Sequence, residues 1–206
     1  MTDFSEILKD GDLELRRLSA TKDNAAMLFD GTERERFDAV FGAFWIKEFK
    51  MDTLDGLYKW LERCDGRNNN DTPFRKGRLY GIFAGSDPNA GSGRNAGCDY
   101  AGFVDFFNMD ADVKKAEISY YLRQRFEGRG LASRAIRLVE DEFFGKIGWN
   151  KIVIGFADSN KKSESVAKRN GYRQEGFLRD ECVVGGVLRN RILTGKLKSE
   201  WVAARG

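Results

Sequence analysis

The sequence predicts a mixed α/β fold, with antiparallel strand pairing in the first half and a parallel strand–helix–strand crossover in the second. The candidate elements run as strand, helices, several strands, and then strand, helix, strand, helix and two closing strands. The near-continuous apolar run at residues 152–157 is typical of a strand covered on both faces. The chain has 206 residues, of which 41% are hydrophobic, so we expect a single domain over residues 1–206.

The first half shows alternating and helical patterns in turn. Residues 13–18 alternate as a strand does, after a turn at Gly11 and Asp12. Two helical stretches follow, and the second has apolar residues at helical spacing after the candidate caps Asp52 and Thr53: Leu54, Leu57, Tyr58, Leu61 and Cys64. Residues 66–73 form a loop by composition, and strands are predicted at 79–84 and 100–107. The Gly-rich segment 85–97 predicts a long hairpin loop, either an inert insertion or a flap over a substrate site.

The second half contains the predicted crossover. A strand at 116–122 leads through a Gly-containing loop to an amphipathic helix at 131–144, and the apolar strand at 152–157 follows. A short helix at 162–169 ends at Asn170 and Gly171. The closing strands, at 172–184 and 187–196, flank the turn pair Gly185 and Gly186.

Composition excludes several kinds of chemistry. The chain has no histidine, which excludes Ser-His-Asp and Cys-His nucleophile pairs, HExxH zinc sites and histidine general bases. The net charge of +3 does not favour a nucleic-acid partner. Three widely spaced cysteines without a CxxC pair predict no metal site and a reducing, cytoplasmic setting. We see no signal peptide or membrane-spanning stretch, so no membrane association is expected.

Two segments carry the candidate chemistry. Residues 125–132, RFEGRGLA, join a strand to a helix, and their glycines, the helix N-terminus and Arg125, Arg129 and Arg134 suit a pyrophosphate. A structural turn explains that motif equally well, and no Walker A string or third Rossmann glycine is present. The second segment, residues 158–172, contains Asn160 and Ser163. A role as helix N-cap is an adequate explanation for Asn160, and a polar position in the first helical turn is one for Ser163.

Taken together, these segments resemble the GNAT superfamily of N-acetyltransferases. The supporting motifs are RFEGRGLA, NKKSESVAKRNGY some thirty residues later, QEGFLRD, and EISYYL at residues 117–122, where the family pattern reads EIGYWL. The chain is more narrowly similar to the RimJ/RimL type, which acetylates ribosomal-protein N-termini. The resemblance implies the GNAT fold, a mixed and mostly antiparallel central sheet with a splayed parallel strand pair and helices on both faces. It also implies acetyl-CoA as cosubstrate.

The resemblance carries a set of site residues onto this sequence. The pantetheine arm is expected along the splayed strand and the pyrophosphate on the glycine loop, with Asn160 bonding the cofactor and Ser163 near its sulfur. The implied cofactor-binding residues are Tyr120, Tyr121, Leu122, Arg125, Gly128, Arg129, Gly130, Leu131, Ala132, Ser133, Asn160 and Ser163. The chain departs from the family pattern at Glu127, where glutamine is usual, and at Ser119, where glycine is usual.

The implied reaction is direct attack of a neutral amine on the thioester in a ternary complex, with a backbone N–H near Leu122 meeting the oxyanion. Ser163 is the candidate acid for the thiolate, and Glu175 and Glu117 are the candidate bases. A solvated strand residue explains Glu175 equally well and is the favoured explanation for Glu117. Roughly a tenth of α-amines are neutral at pH 7 and far fewer lysine side chains are, so a chain without histidine favours an α-amine.

Three functions remain open from the sequence. The first is an N-acetyltransferase for the N-terminal α-amine of a protein or peptide, the second a small-molecule acetyltransferase for an antibiotic or polyamine, and the third a non-catalytic acyl-CoA-binding module. The partner is thus an acceptor amine, and the chain is expected to be a monomer or a homodimer. The acceptor half contains an aromatic group that is mostly core, with Trp45 a candidate for the acceptor pocket: Phe41, Phe44, Trp45, Phe49, Tyr58 and Trp60.

Overall fold

A computed structural model describes residues 4–31, 33, 53–65, 79–85 and 98–206. Over these residues, eight strands form one sheet in the order β1-β2-β3-β4-β5-β6-β8-β7. The strands are β1 (Ile7–Asp10), β2 (Leu13–Arg17), β3 (Leu79–Ala84), β4 (Asp99–Asp110), β5 (Lys115–Leu122), β6 (Lys151–Ala157), β7 (Arg173–Val184) and β8 (Val187–Leu197). β5 and β6 are parallel and the other paired neighbours are antiparallel, which confirms the predicted mixed sheet.

Helices cover both faces of this sheet. Those that the structure describes are α1 (Lys22–Gly31), α2 (Leu54–Cys64), α3 (Leu131–Glu140), α4 (Lys161–Arg169) and α5 (Lys198–Ala203). One apolar cluster joins α3 and α4 to the sheet, with Ile118, Ile136 and Ile154 at its centre. A second joins α1 and α2 to the opposite face through Leu28, Leu61 and Phe103. None of the described helices is long and apolar enough to cross a membrane.

Most predicted elements are observed within one to three residues of their expected bounds. The main difference is the predicted helix at 131–144, where the α-helix ends at Glu140 and a wider π-helical turn, Asp141–Ile147, continues to Gly148. Thr53 is confirmed as the cap of α2, because its side chain accepts a hydrogen bond from the Gly56 N–H at 3.0 Å. Asp52, the loop at 66–73, residues 86–97 and four of the aromatic residues (Phe41, Phe44, Trp45 and Phe49) lie outside the described residues.

The parallel strands β5 and β6 remain together only briefly. They pair from Lys115 opposite Lys151 to Glu117 opposite Val153. Beyond these three pairs β5 continues along β4 as far as Leu122, and β6 continues along β8 as far as Ala157. The sheet therefore opens between the carboxyl ends of β5 and β6, as the splayed pair implied by the family resemblance requires.

A buried ion pair ties α3 to the far side of this opening. Lys196 on β8 donates to the Glu140 carboxylate at 2.7 Å, with 7% and 1% of the two residues exposed. Burial raises the pKa of Glu140, and the ammonium of Lys196 opposes that rise. Because burial removes the hydration of both charged groups, each of them is stabilised mainly by the opposite charge of its partner.

Substitution of Lys196 by methionine should therefore lower the free energy of unfolding by about 3–5 kcal/mol, because it leaves the Glu140 carboxylate buried without its cation. The double variant Glu140→Leu/Lys196→Met should recover most of the loss. As a control, Lys151→Met removes an ion pair of 2.6 Å with the half-exposed Glu175 and should cost less than about 1 kcal/mol. Urea unfolding followed by circular dichroism measures all three; equal losses for Lys196→Met and Lys151→Met would contradict the expectation.

Candidate functional site

The opening between β5 and β6 continues into a pocket of about 870 Å³. Its walls are the end of β5, the loop that leads into α3, and the first turns of α4. Ten of the twelve predicted cofactor-binding residues line it: Tyr120, Tyr121, Leu122, Gly128, Gly130, Leu131, Ala132, Ser133, Asn160 and Ser163. The fold thus brings segments that are some thirty residues apart in sequence to one cavity.

The glycine loop forms one end of the pocket. Gly128 and Gly130 both have φ of +74°, a left-handed conformation that glycine adopts at low cost. No atom lies within 4 Å of where a Cβ at either position would stand, so the space above the loop is open. α3 begins immediately afterwards at Leu131, and no side chain caps its first N–H groups. These free donors and the positive end of the helix dipole make this end of the pocket suited to an anion.

The arginines predicted to help at this loop point elsewhere. Arg125 pairs with Asp99 at 3.4 Å, and Arg129 donates to the Gly85 carbonyl at 3.1 Å. Arg134 binds two carboxylates of the β1–β2 turn, Asp10 at 2.7 Å and Asp12 at 2.9 Å. None of the three is among the described residues that line the pocket. They fix the loop and α3 to neighbouring elements instead of contributing charge to the cavity.

Cations at the pocket come from α4, which the sequence interpretation did not single out. Lys161, Lys162 and Arg169 all line the pocket. Lys162 forms an ion pair of 2.6 Å with Glu127, which joins the first turn of α4 to the glycine loop. The position of Lys162, two residues after Asn160 in a first helical turn, was a usable signal for this role. The departure from the family pattern at Glu127 therefore pairs a carboxylate with a lysine that lines the pocket.

Two hydroxyl groups lie side by side in the pocket wall. The backbone N–H of Ser163 donates to the Asn160 side chain at 3.0 Å. Asn160 is therefore the N-cap of α4, one of the two explanations that the sequence offered for this residue. The Tyr120 hydroxyl is next to Ser163, and burial raises the pKa of Tyr120 to about 12. Within the described residues this hydroxyl makes no hydrogen bond of normal geometry. Tyr120 thus adds to the wall a protonated O–H that the sequence interpretation had not considered.

The opposite face of β5 carries a second polar anchor. The Glu33 carboxylate accepts hydrogen bonds from the Tyr121 hydroxyl at 3.1 Å and from the Gln124 N–H at 2.9 Å. These contacts hold the end of β5 on the side where α1 and α2 lie. No local sequence signal indicates them, because Glu33 and Tyr121 are 88 residues apart.

The structure separates the two candidate bases. Glu117 lies at the last pair before β5 and β6 diverge, is 8% exposed, and shares the α1–α2 face with Tyr121. Glu175 is on β7, and its carboxylate pairs with Lys151 at 2.6 Å beside Gly195. Lys151 begins β6, at the opposite end of that strand from the pocket residue Ala157. The fold therefore places Glu117, and not Glu175, where β5 and β6 separate, and neither glutamate is among the described residues that line the pocket.

No metal site accompanies this arrangement in the part of the chain that the structure describes. No group of three or more histidine, cysteine, aspartate or glutamate side chains is gathered there in a way that would hold an ion. The chemistry available to these residues is acid–base and hydrogen-bonding chemistry from carboxylates, hydroxyl groups and backbone N–H groups.

Comparison with known proteins gives a family match over most of the chain. Residues 12–173 match the family model described as the acetyltransferase (GNAT) domain. The putative ribosomal N-acetyltransferase YdaF of Bacillus subtilis is 34% identical over 100 residues, which are 48% of this chain and 55% of that protein. Spermidine N(1)-acetyltransferase of Escherichia coli K12 is 28% identical over 92 residues, 45% of this chain and 50% of that protein. The aligned part of this chain thus spans about half the length of these two relatives.

A solved structure has the same fold over nearly the whole chain. It is described as RimL, a ribosomal L7/L12 α-N-protein acetyltransferase in complex with coenzyme A, and it superposes with a TM-score of 0.74 at 18% identity. The superposition covers 95% of this chain and 99% of that one. At this identity the comparison supports the fold, and the acceptor has to be argued from the site.

Replacing Gly128 by leucine should weaken coenzyme A binding at least about tenfold, because the side chain would project into the open space above the loop. Gly171→Leu is the matched control: Gly171 has φ of +78°, nothing lies within 4 Å of its Cβ position, and it is outside the pocket lining. Titration calorimetry measures the affinities. Equal affinity in the two variants would contradict the placement of the anion on this loop.

Replacing Glu127 by glutamine should strengthen coenzyme A binding about two- to fivefold, because the change removes a carboxylate beside the anion site and releases Lys162. Lys162→Gln should weaken binding by a similar factor. Both effects should shrink in about 0.5 M salt, since the groups are partly exposed. Calorimetry at low and high salt is the measurement, and weaker binding by Glu127→Gln would show that the carboxylate contributes favourably.

Proposed function

Because this chain belongs to the acetyltransferase (GNAT) family, we propose that it transfers the acetyl group of acetyl-CoA to the α-amine of a protein or peptide. The family match confirms the resemblance drawn from the sequence motifs, and acetyl-CoA is the donor that this family uses. The observation that carries the proposal is the pocket between β5 and β6, which ends on an uncapped helix N-terminus and a glycine loop.

On the donor side, we assign the pyrophosphate to the N–H groups of residues 128–133 and the pantetheine arm to the unpaired edge of β5. The thioester supplies an acyl group that is already activated, so no protein nucleophile is required. A backbone N–H near Leu122 is available to stabilise the negative charge that develops on the carbonyl oxygen. Glycines at 128 and 130 keep this path free of side chains.

Ser163 is the proposed acid for the departing thiolate. Thiols have a pKa near about 8.5, so a weak hydroxyl acid is sufficient when it is correctly placed. Tyr120 supports this assignment, because its buried hydroxyl lies beside Ser163 and its pKa of about 12 keeps it protonated. Ser163 would give its proton to the thiolate as the C–S bond breaks, and would regain one, directly or through water, from the nitrogen that loses a proton as the amide forms.

Glu117 is the proposed base on the acceptor side. Its carboxylate is buried where the strands separate and pairs with Arg191, whereas Glu175 is exposed and pairs with Lys151 at the other end of β6, away from the opening. Without histidine, a carboxylate acting directly or through water fits an amine that is already partly neutral. This argument supports an α-amine over a lysine side chain.

Two other functions are compatible with this pocket. The similarity to a spermidine acetyltransferase supports a small cationic acceptor. A module that binds acyl-CoA without turnover uses the same pocket and needs neither Glu117 nor Ser163. The three functions make different predictions for a set of acceptors, so one assay separates them.

The test is thiol release from acetyl-CoA with alanyl and seryl peptides, polyamines and aminoglycosides as acceptors. We expect the peptides to be acetylated fastest, and Glu117→Gln to lower kcat about a hundredfold or more. Glu175→Gln is the matched control on the same sheet and should retain nearly the wild-type rate. Faster turnover of polyamines would favour the small-molecule function. Bound coenzyme A with no thiol release for any acceptor would leave only the binding module.

A further inference from the structure

Glu117 is held by an arginine from the other side of the opening. The guanidinium of Arg191 on β8 donates through Nη2 to Oε1 of Glu117 on β5, so the ion pair crosses β6. Gly155 lies on β6 beneath this contact. A Cβ there would come within 2.6 Å of the guanidinium and 2.8 Å of the carboxylate, so a side chain at this position would displace the pair.

The second oxygen of Glu117 has its own partner. Asn108 Nδ2 donates to Oε2 at 3.1 Å. Asn108 has φ of +46°, a left-handed conformation that asparagine tolerates, at an irregularity of β4 between Phe107 and Asp110. The bulge turns the Asn108 amide toward the carboxylate. Three strands thus contribute a side chain to one polar cluster: Glu117, Arg191 and Asn108.

The cluster lies on the acceptor side of the sheet. Glu117 and Tyr121 share one face of β5, and Tyr121 reaches the pocket. Arg191 is opposite Ala157 of β6, another pocket residue, and 28% of its side chain is exposed. A guanidinium has five N–H donors, and the hydrogen bond that the described residues give Arg191 uses one of them. Its remaining donors are available to an acceptor that approaches Glu117.

We propose that Arg191 is a specificity-determining residue that binds the carbonyl oxygen next to the acceptor amine, so that the acceptor is an α-aminoacyl group. This inference rests on the proposed function. In an α-aminoacyl group the amine nitrogen and the neighbouring carbonyl oxygen are about 3 Å apart. That spacing matches two groups that are themselves one hydrogen bond apart, the Glu117 carboxylate for the amine and the guanidinium for the oxygen.

Hydrogen bonding at the cluster also separates the acceptor classes. A polyamine has no oxygen to accept a hydrogen bond, so it gains nothing from the donors of Arg191. A peptide N-terminus offers a carbonyl oxygen, and a free amino acid offers a carboxylate. Both have the chemistry that a planar guanidinium binds well. Asn108 holds the second oxygen of Glu117 and so helps to fix the orientation of the carboxylate.

The experiment compares two acceptors that differ in the oxygen-bearing group alone. In alaninamide a carboxamide is attached to the carbon that bears the amine, and in isopropylamine a methyl replaces it. Arg191→Gln should raise the KM for alaninamide about tenfold or more and leave the KM for isopropylamine and for acetyl-CoA within about twofold. The KM of the Arg191→Lys variant for alaninamide should lie between those of the wild type and the Arg191→Gln variant. Arg173→Gln, which removes an exposed arginine paired with Glu200, is the control and should change neither value.

Each acceptor is compared with itself across variants, so differences in amine pKa cancel. An alanyl peptide and free alanine form two further arms, and the larger loss in Arg191→Gln identifies which of them the guanidinium serves. Equal loss for alaninamide and isopropylamine would mean that Arg191 is a structural link between β5 and β8, which would overturn this inference. Turnover of no amine by the wild type would overturn the proposed function instead.

Discussion

The rest of the structure depends on the short pairing between β5 and β6. Each strand pairs over a greater length with its other neighbour, β5 with β4 and β6 with β8. β5 and β6 share only three residue pairs. Where they part, the backbone groups along their facing edges lose their sheet partners. Unpaired backbone groups need other hydrogen bonds, and an extended ligand with amide groups can provide them. The opening is therefore a consequence of sheet topology, and the side chains around it determine which ligands can bind there.

Glycines determine where side chains are absent around this opening. Gly128 and Gly130 leave the loop surface open, and Gly155 leaves room for an ion pair above β6. At Gly102 a Cβ would collide with the Tyr121 carbonyl, so that glycine permits close approach of β4 to the end of β5. The absence of a Cβ at these glycines thus leaves space for the acyl donor, permits the contact between Glu117 and Arg191, and allows β5 to lie close to β4.

The sequence predicted features that are encoded locally. Apolar periodicity located most strands and helices, and the turn glycines at 185 and 186 have the left-handed φ values that their pairing indicated. The short strand β1 was missed because it is mostly exposed and lacks an apolar alternation, and the six-residue α5 has no buried residue to mark it. The partners of the site residues were also not predictable. Glu117 with Arg191, and Glu175 with Lys151, depend on the register of strands that are far apart in sequence.

Helix α3 is anchored at both ends to different halves of the divided sheet. Arg134, one turn into the helix, holds Asp10 and Asp12 beside β1 and β2, while Glu140 at its last turn holds Lys196 on β8. Three ion pairs therefore fix the two ends of α3 to strands on either side of the opening. None of these side chains is among the described residues that line the pocket, so substitutions at these anchors would shift α3 without altering a residue of the pocket wall.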